Sequence, residues 1–290
     1  ILFFWVARMI LMTGYNLGDI PFDIVYLHGL VRDEKGRKMS KSLDNGIDPL
    51  EMTKKYGADA TRLSLVIGTS PGNDSRLYEE KIAGYRNFVN KIWNIGRFII
   101  MHKGGTRKFE KKTLADQWIE SRLQTLIEDV TKHYEQYDYS IAGEKIYDFL
   151  WHELADWYVE ISKTQDHTIA PKILLDALKL LHPFTPFVTE EIFQLLKKEK
   201  LIETSDKRLM TASWPKQQVK LNKPSIEADF KVLQELVTNI RDLRAQYKLP
   251  YSKKLDAAIA TKKYKDLFQE QELVHHNIGR KINLRIIGCQ

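Results

Sequence analysis

The chain has 290 residues, 43% hydrophobic and 29% charged, enough apolar material for two or three domains and too much for a disordered polypeptide. Forty-five Lys and Arg against 38 Asp and Glu leave a formal charge of +7, which favours a polyanionic partner, although a run such as Lys197, Lys198 and Lys200 reads first as a solvated helix face. Its apolar runs fall far short of the roughly 20 residues needed to cross a bilayer, and the single cysteine, Cys289, can form neither an internal disulfide nor a thiolate zinc site.

The opening run Ile1–Val6 has no basic leader, no small-residue cleavage site and no initial Met, so it reads as the interior of a longer chain, not a signal peptide. A reducing, cytoplasmic setting is expected. Residues 24–31, Ile-Val-Tyr-Leu-His-Gly-Leu-Val, have the length and β-branched character of a strand. Arg32 to Ser42 follows as a polar loop. Asp48-Pro49-Leu50-Glu51 supplies an N-cap, a proline at the first helical position and a carboxylate at N3, with Gly57 closing a short helix. This mixed α/β segment is expected to end in a helix from Tyr78 to Met101, with Ile82, Tyr85, Phe88, Val89, Ile92, Trp93 and Ile99 near one side.

A second domain is expected after Gly105. Thr113 to Asp116 caps a helix carrying Trp118, Leu123, Leu126, Ile127 and Val130 at helical spacing. The pattern repeats through Phe149, Leu150, Leu154, Trp157, Tyr158 and Ile161, and again from Ile173 to Leu181. Thr185-Pro186 reads as the cap of a fourth helix with Val188, Ile192, Leu195 and Leu196 inward. Four such helices make a bundle, in which Trp151, Trp157 and Tyr158 are core packing. A long helix is then expected with Ile226, Phe230, Leu233, Val237, Ile240 and Tyr247 inward and Arg241, Arg244 and Lys248 towards another face. Leu255–Ala260 and Ile282–Ile287 alternate like strands, which suggests a small α/β appendage. His275 and His276 find no cysteine to complete a metal set and read as surface residues; no metal site is expected.

The string that carries chemistry is Lys38-Met39-Ser40-Lys41-Ser42, between the strand and the capped helix. Two lysines three apart on a mobile loop can meet a triphosphate from one side and neutralise charge growing on departing pyrophosphate. Ser40 and Ser42 add hydroxyl donors, and Gly36 and Asn45-Gly46 let the backbone change conformation as the loop closes. A solvated Lys/Ser-rich loop is the plain alternative for the pentapeptide alone. With its flanks, His28-Gly29-Leu30-Val31-Arg32-Asp33, Asn45-Gly46-Ile47-Asp48-Pro49 and Tyr56-Gly57-Ala58-Asp59, the region resembles the second signature of class I aminoacyl-tRNA synthetases. Phe3-Phe4-Trp5-Val6-Ala7-Arg8-Met9, Tyr85 to Asn94, Asp156-Trp157-Tyr158 and His182 to Phe187 are similar to the valine-specific subgroup. Asp44 departs from the pattern, which usually has Gly there.

The resemblance implies three regions. Residues 1–104 would be an α/β part, the second half of a Rossmann-type catalytic domain with the signature loop and a linking helix. Residues 105–215 would be an all-α anticodon-binding bundle, and 216–290 a long helix with the small α/β appendage. It implies activation of valine by ATP, with Mg2+, to valyl-adenylate and transfer to valine tRNA, with no membrane and no stable protein partner. Lys41 and then Lys38 become the catalytic candidates; Lys38, Met39, Ser40, Lys41 and Ser42 with His28 and Gly29 become the ATP-binding set. Ile1 and Trp5 match a helix beside the amino-acid pocket, with ordinary core packing the equal alternative. Arg86, Lys91 and Phe98 on the linking helix are candidate tRNA contacts, though no motif fixes them. The first class I signature and the editing insertion are not found, so the chain alone is expected neither to edit nor to aminoacylate. An isoleucine or leucine enzyme and a non-catalytic tRNA-binding module are the alternatives.

Overall fold

The computed structural model describes residues 1–102, 112–163, 169–250, 255–261, 263–270 and 282–287. The expected break at 104, His275, His276 and Cys289 lie outside the described residues. The chain opens with one helical rod, a π-helical Leu2–Val6 running into α1 (Ala7–Leu17). Most of its large apolar side chains are exposed, Phe3 at 92% and Tyr15 at 90% among them.

Residues 27–32 then run beside residues 72–77. The amides of Gly72, Ser75 and Leu77 donate to the carbonyls of Leu27, Leu30 and Arg32. Within this contact β1 (Val31–Arg32) pairs in parallel with β2 (Ser75–Arg76). The strand expected over residues 24–31 is thereby corrected to two residues, Val31 at its end and Arg32 just beyond it. A ladder needs a partner along its whole length. Here β2 offers two residues, and the Leu30 amide donates instead to the Asp74 carboxylate at 2.8 Å. The Rossmann-type half-domain is likewise not seen as a sheet: among the described residues this part has only the β1–β2 pair.

Gly29 lies where the two segments touch. A Cβ there would sit 1.8 Å from the Asn73 carbonyl oxygen and 2.6 Å from the Asp74 nitrogen. Between the strands, α2 (Pro49–Tyr56) starts as expected, with the Asp48 carboxylate accepting from the Leu50 amide at 2.8 Å. Gly57, at φ 90°, turns the chain into α3 (Ala58–Val66).

Helix α4 (Glu79–Met101) is shared between two cores. Ile82 joins Ala60 and Leu77 in a small core under the α/β part, with Met39, Ile47, Met52 and Tyr56 packed around it. Phe88, Ile92, Ile95 and Ile99, recurring at helical spacing, enter the main core with the bundle. α5 (Leu114–Glu135) begins with a full capping box between Thr113 and Asp116. α6 (Tyr139–Asp148) continues without a break through a π-helical segment, Phe149–Val159, into α7 (Glu160–Ser162). The buried side chains of the π segment come in neighbouring doublets, Phe149 with Leu150, Leu154 with Ala155 and Tyr158 with Val159. That spacing suits a wider helix, and it leaves Trp157 half-buried where an α stripe would have placed it inward.

α8 (Ala170–Leu181) and α9 (Pro186–Lys198) complete the bundle. The cap of α9 is not Thr185, which makes no side-chain capping bond. Asp59 of α3 reaches across and accepts from the Phe187 and Val188 amides at 3.2 and 2.7 Å. Next to it the Arg62 guanidinium donates to the carbonyls of Pro183 and Phe184 at 2.9 and 3.1 Å. Asp59 is 5% exposed, and burial raises its pKa against the opposing pull of the two amides.

α10 (Pro224–Gln246) packs into the same main core through Phe230, Leu233 and Val237, with Trp118 stacked on Phe230 at 3.9 Å. Two expectations for its end are corrected. Tyr247 is exposed because the helix stops at Gln246, and the inward stripe instead continues to Arg244, which is 2% exposed. The Arg244 guanidinium donates to the Pro250 carbonyl at 3.3 Å. β3 (Leu255–Ala260) and β4 (Ile282–Ile287) form where the alternation placed them and pair in parallel, with α11 (Lys265–Glu270) between them.

Two substitutions test this architecture. Asp59→Ala leaves two helix-terminal amides without their buried acceptor and is expected to cost about 2 kcal/mol in urea unfolding, with Asp59→Asn costing less. Gly29→Ala must push the 73–74 backbone aside and is expected to cost roughly 1–3 kcal/mol, read as a lower melting temperature.

Candidate active-site loop

The loop is organised by a nearly buried carboxylate. Asp33, 8% exposed, follows β1 directly and accepts from the Arg37 amide at 2.7 Å and from the Arg37 guanidinium at 2.8 Å. Its Oδ2 also accepts from the Asn45 amide group at 2.9 Å. Gly36, at φ 77°, lets residues 33–37 close into a turn in which the Gly36 and Asp33 amides donate to the carbonyls of Asp33 and Arg37. The Asn45 bond, then the Arg37 amide and guanidinium, hold the Asp33 carboxyl down at about 2 against the opposing effect of burial. Its contribution to stability is therefore complete above the ordinary carboxylate range and is lost only as pH falls towards 2.

Asn45 joins the two ends of the loop. Its Oδ1 accepts from the Ser40 amide at 2.9 Å and its Nδ2 donates to the Lys38 carbonyl at 3.2 Å. Met39 packs against the small core of Ala60, Leu77 and Ile82, whereas Lys38 is exposed. The Ser40 and Ser42 hydroxyls lie 3.1 Å apart. Lys41 opens a 3₁₀ turn, Lys41–Leu43; its side chain lies outside the described residues. Asp44 follows at φ 45°, the left-handed region, so the position usual for Gly is occupied here by one of the few side chains that tolerate it.

The other sequence candidates fall in three places. His28 is exposed, with Nδ1 2.8 Å from the Gly29 carbonyl, and with Gly29 precedes β1 at the contact with residues 73–74. Ile1 and Trp5 are 76% and 61% exposed on the opening rod and belong to neither buried core. Arg86, Lys91 and Phe98 lie along α4 in different settings. Arg86 is exposed and makes no ion pair among the described residues. The Lys91 ammonium is held by Asp156 at 2.7 Å and lies 4.5 Å from the centre of the Trp151 ring, so its charge is already used within the fold. Phe98 stacks on His102 at 4.8 Å beside a groove lined by Asn94, Arg97 and Met101.

Sequence reasoning gave no role to Asp33 and used Asn45 only as a flexible position. Both stand inside the signature-like string, but no spacing rule tells that one carboxamide spans residues 38–40. Among the described residues no three His, Cys, Asp or Glu side chains converge on a metal-sized space.

Residues 1–78 match the family described as tRNA synthetases class I (I, L, M and V), and residues 116–259 match the anticodon-binding domain of tRNA ligase. The chain is 42% identical over 277 residues to valine–tRNA ligase of Clostridium acetobutylicum, covering 90% of this chain and 31% of that protein. The Clostridium tetani valine–tRNA ligase is 40% identical over 306 residues, covering 100% of this chain and 34% of that protein. LeuRS of Agrobacterium radiobacter, solved in a ternary complex with tRNA and LeuAMS, superposes with a TM-score of 0.59 at 23% identity, over 74% of this chain and 27% of that one. The chain thus spans about a third of the length of the curated relatives it matches. It belongs to the class I tRNA synthetases of the valine–tRNA ligase family.

Proposed function

We propose that this chain supplies the signature loop and the anticodon-binding bundle of an enzyme that joins valine to its tRNA through valyl-adenylate. The observation that carries the reading is the seating of the loop: Met39 is turned into the small core while Lys38 is exposed beside a pair of serine hydroxyls. In adenylate formation the valine carboxylate attacks the α-phosphorus of ATP and pyrophosphate leaves. Lys38 and Lys41 neutralise charge that develops on the departing phosphates, and Ser40 and Ser42 donate to their oxygens. Positioning and charge stabilisation supply most of the catalysis in such phosphoryl chemistry. Mg2+ would arrive with the triphosphate and would supply further neutralisation of its charge. His28 and Gly29 border the nucleotide and Ile1 and Trp5 the valine side chain. A cytoplasmic location is part of the same reading.

Valine tRNA is the macromolecular partner. The net charge of +7 supports it, and Arg86 on α4 is the sequence candidate whose charge is not already paired among the described residues. Two outcomes are expected. An enzyme carrying this chain within the family's full length exchanges pyrophosphate into ATP with valine at least ~10-fold faster than with isoleucine or leucine, since one methylene in an apolar pocket is worth about 1–3 kcal/mol; equal exchange with isoleucine would sink the subgroup assignment. Arg86→Ala weakens valine tRNA binding in filter assays and lowers the slope of log affinity against log salt by about 1, with the melting temperature unchanged. Lys91→Ala, by contrast, is expected to lower the melting temperature by opening the α4 contact with Asp156 and Trp151.

A further inference from the structure

We propose that Asn45 and Asp33 are positioning residues for adenylate formation, acting together to fix the backbone of Lys38, Met39 and Ser40 before the triphosphate arrives. The inference rests on the valine-activating reading given above.

The Asn45 carboxamide is engaged at both ends. Its oxygen accepts from the Ser40 amide at 2.9 Å, and its nitrogen donates one hydrogen to the Lys38 carbonyl at 3.2 Å and the other to Asp33 at 2.9 Å. It therefore grips the peptide groups on both sides of Met39, as a neighbouring strand would. Met39 is anchored from the other direction by the small core. Residue 39 is thus held by its side chain and its flanking backbone at once, and Lys38 is exposed from a stretch that has little freedom left.

Asp33 orients the carboxamide. With two carboxylate oxygens facing three donors, Arg37 twice and Asn45 once, it dictates that the nitrogen of Asn45 and not its oxygen faces inward. These bonds all lie within residues 33–45, and none reaches α2, α3 or α4. Their loss should release the loop and leave the cores intact, which separates positioning from folding.

The test is valine-dependent pyrophosphate exchange by an enzyme carrying this chain within the family's full length, with the melting temperature measured on every variant. Asn45→Ala is expected to lower kcat by roughly 30–100-fold with the valine KM within about twofold, because misplacement of a reacting group by about 1 Å costs on the order of 100-fold. Asp33→Asn should behave alike, since it turns a donor towards donors. Asn45→Asp sets two carboxylates against each other, and adding Asp33→Asn restores a donor–acceptor pair between positions 33 and 45. The double variant is expected to recover about tenfold over Asn45→Asp alone. Exchange by Asn45→Ala within about threefold of the unsubstituted enzyme overturns the proposal. So does a loss accompanied by a fall of more than about 5 °C in melting temperature, which assigns the pair a structural role, and so does a double variant no better than Asn45→Asp. If the unsubstituted enzyme shows no valine-dependent exchange, the reading of the site itself falls.

Discussion

Asp59 brings a carboxylate from the short helix α3 to the first turn of α9, 129 residues further along the chain, and buries it there against two backbone amides. A helix start inside a protein presents amides that must find acceptors, and the local sequence offers only Thr185, whose side chain makes no cap. The acceptor comes from the neighbouring part instead. Arg62, one turn later on α3, fills the converse role by donating to the carbonyls that end the α8–α9 turn. One face of α3 therefore completes both halves of that corner. The 33–45 loop rests on the same layer, with Met39 packed on the small core to which α3 contributes Ala60.

Helix α4 makes the joint stiff. Its first turns floor the small core that takes Met39, and its remaining turns carry Phe88, Ile92, Ile95 and Ile99 into the bundle. Gly96 lets α9 come so close that a Cβ there would meet Ile192 at 2.9 Å. A rigid rod entering two cores ties their positions together more firmly than a loop would, because bending it would open well-packed apolar contacts at both ends. The loop's own order is local by contrast, resting on Asp33 and Asn45.

What the sequence made legible follows the range of the interaction concerned. The bounds of α4, the Thr113 capping box, the Asp48-Pro49 start and both C-terminal strands rest on period and on caps within four residues, and the structure has them where they were expected. The strand over residues 24–31 failed because β character is realised only beside a partner, and here the partner is two residues long. Arg244 was expected on another face of α10, although the period of Phe230, Leu233, Val237 and Ile240 leads straight to it. Of the loop, the basic and hydroxylic string was visible at once. The group that shapes it was not, since a carboxamide five residues from the amide that donates to it and twelve from Asp33 leaves no periodic trace.

The π-helical stretch Phe149–Val159 has a consequence for the register of everything after it. A wide turn accommodates one more residue than an α turn, so this segment behaves as stored slack in the rod from α6 to α7. Winding the same residues as a regular α-helix, with none removed, would turn the downstream side chains around the axis by about 100° for each extra residue taken up. Ile161 and Ser162, both buried, would then leave the core, whereas deleting one residue within the segment would let the turn tighten and keep them in place. The rod thus tolerates its irregular winding because the doublets Phe149–Leu150, Leu154–Ala155 and Tyr158–Val159 are written for that winding, and a regular helix at this place would be the misfolded one.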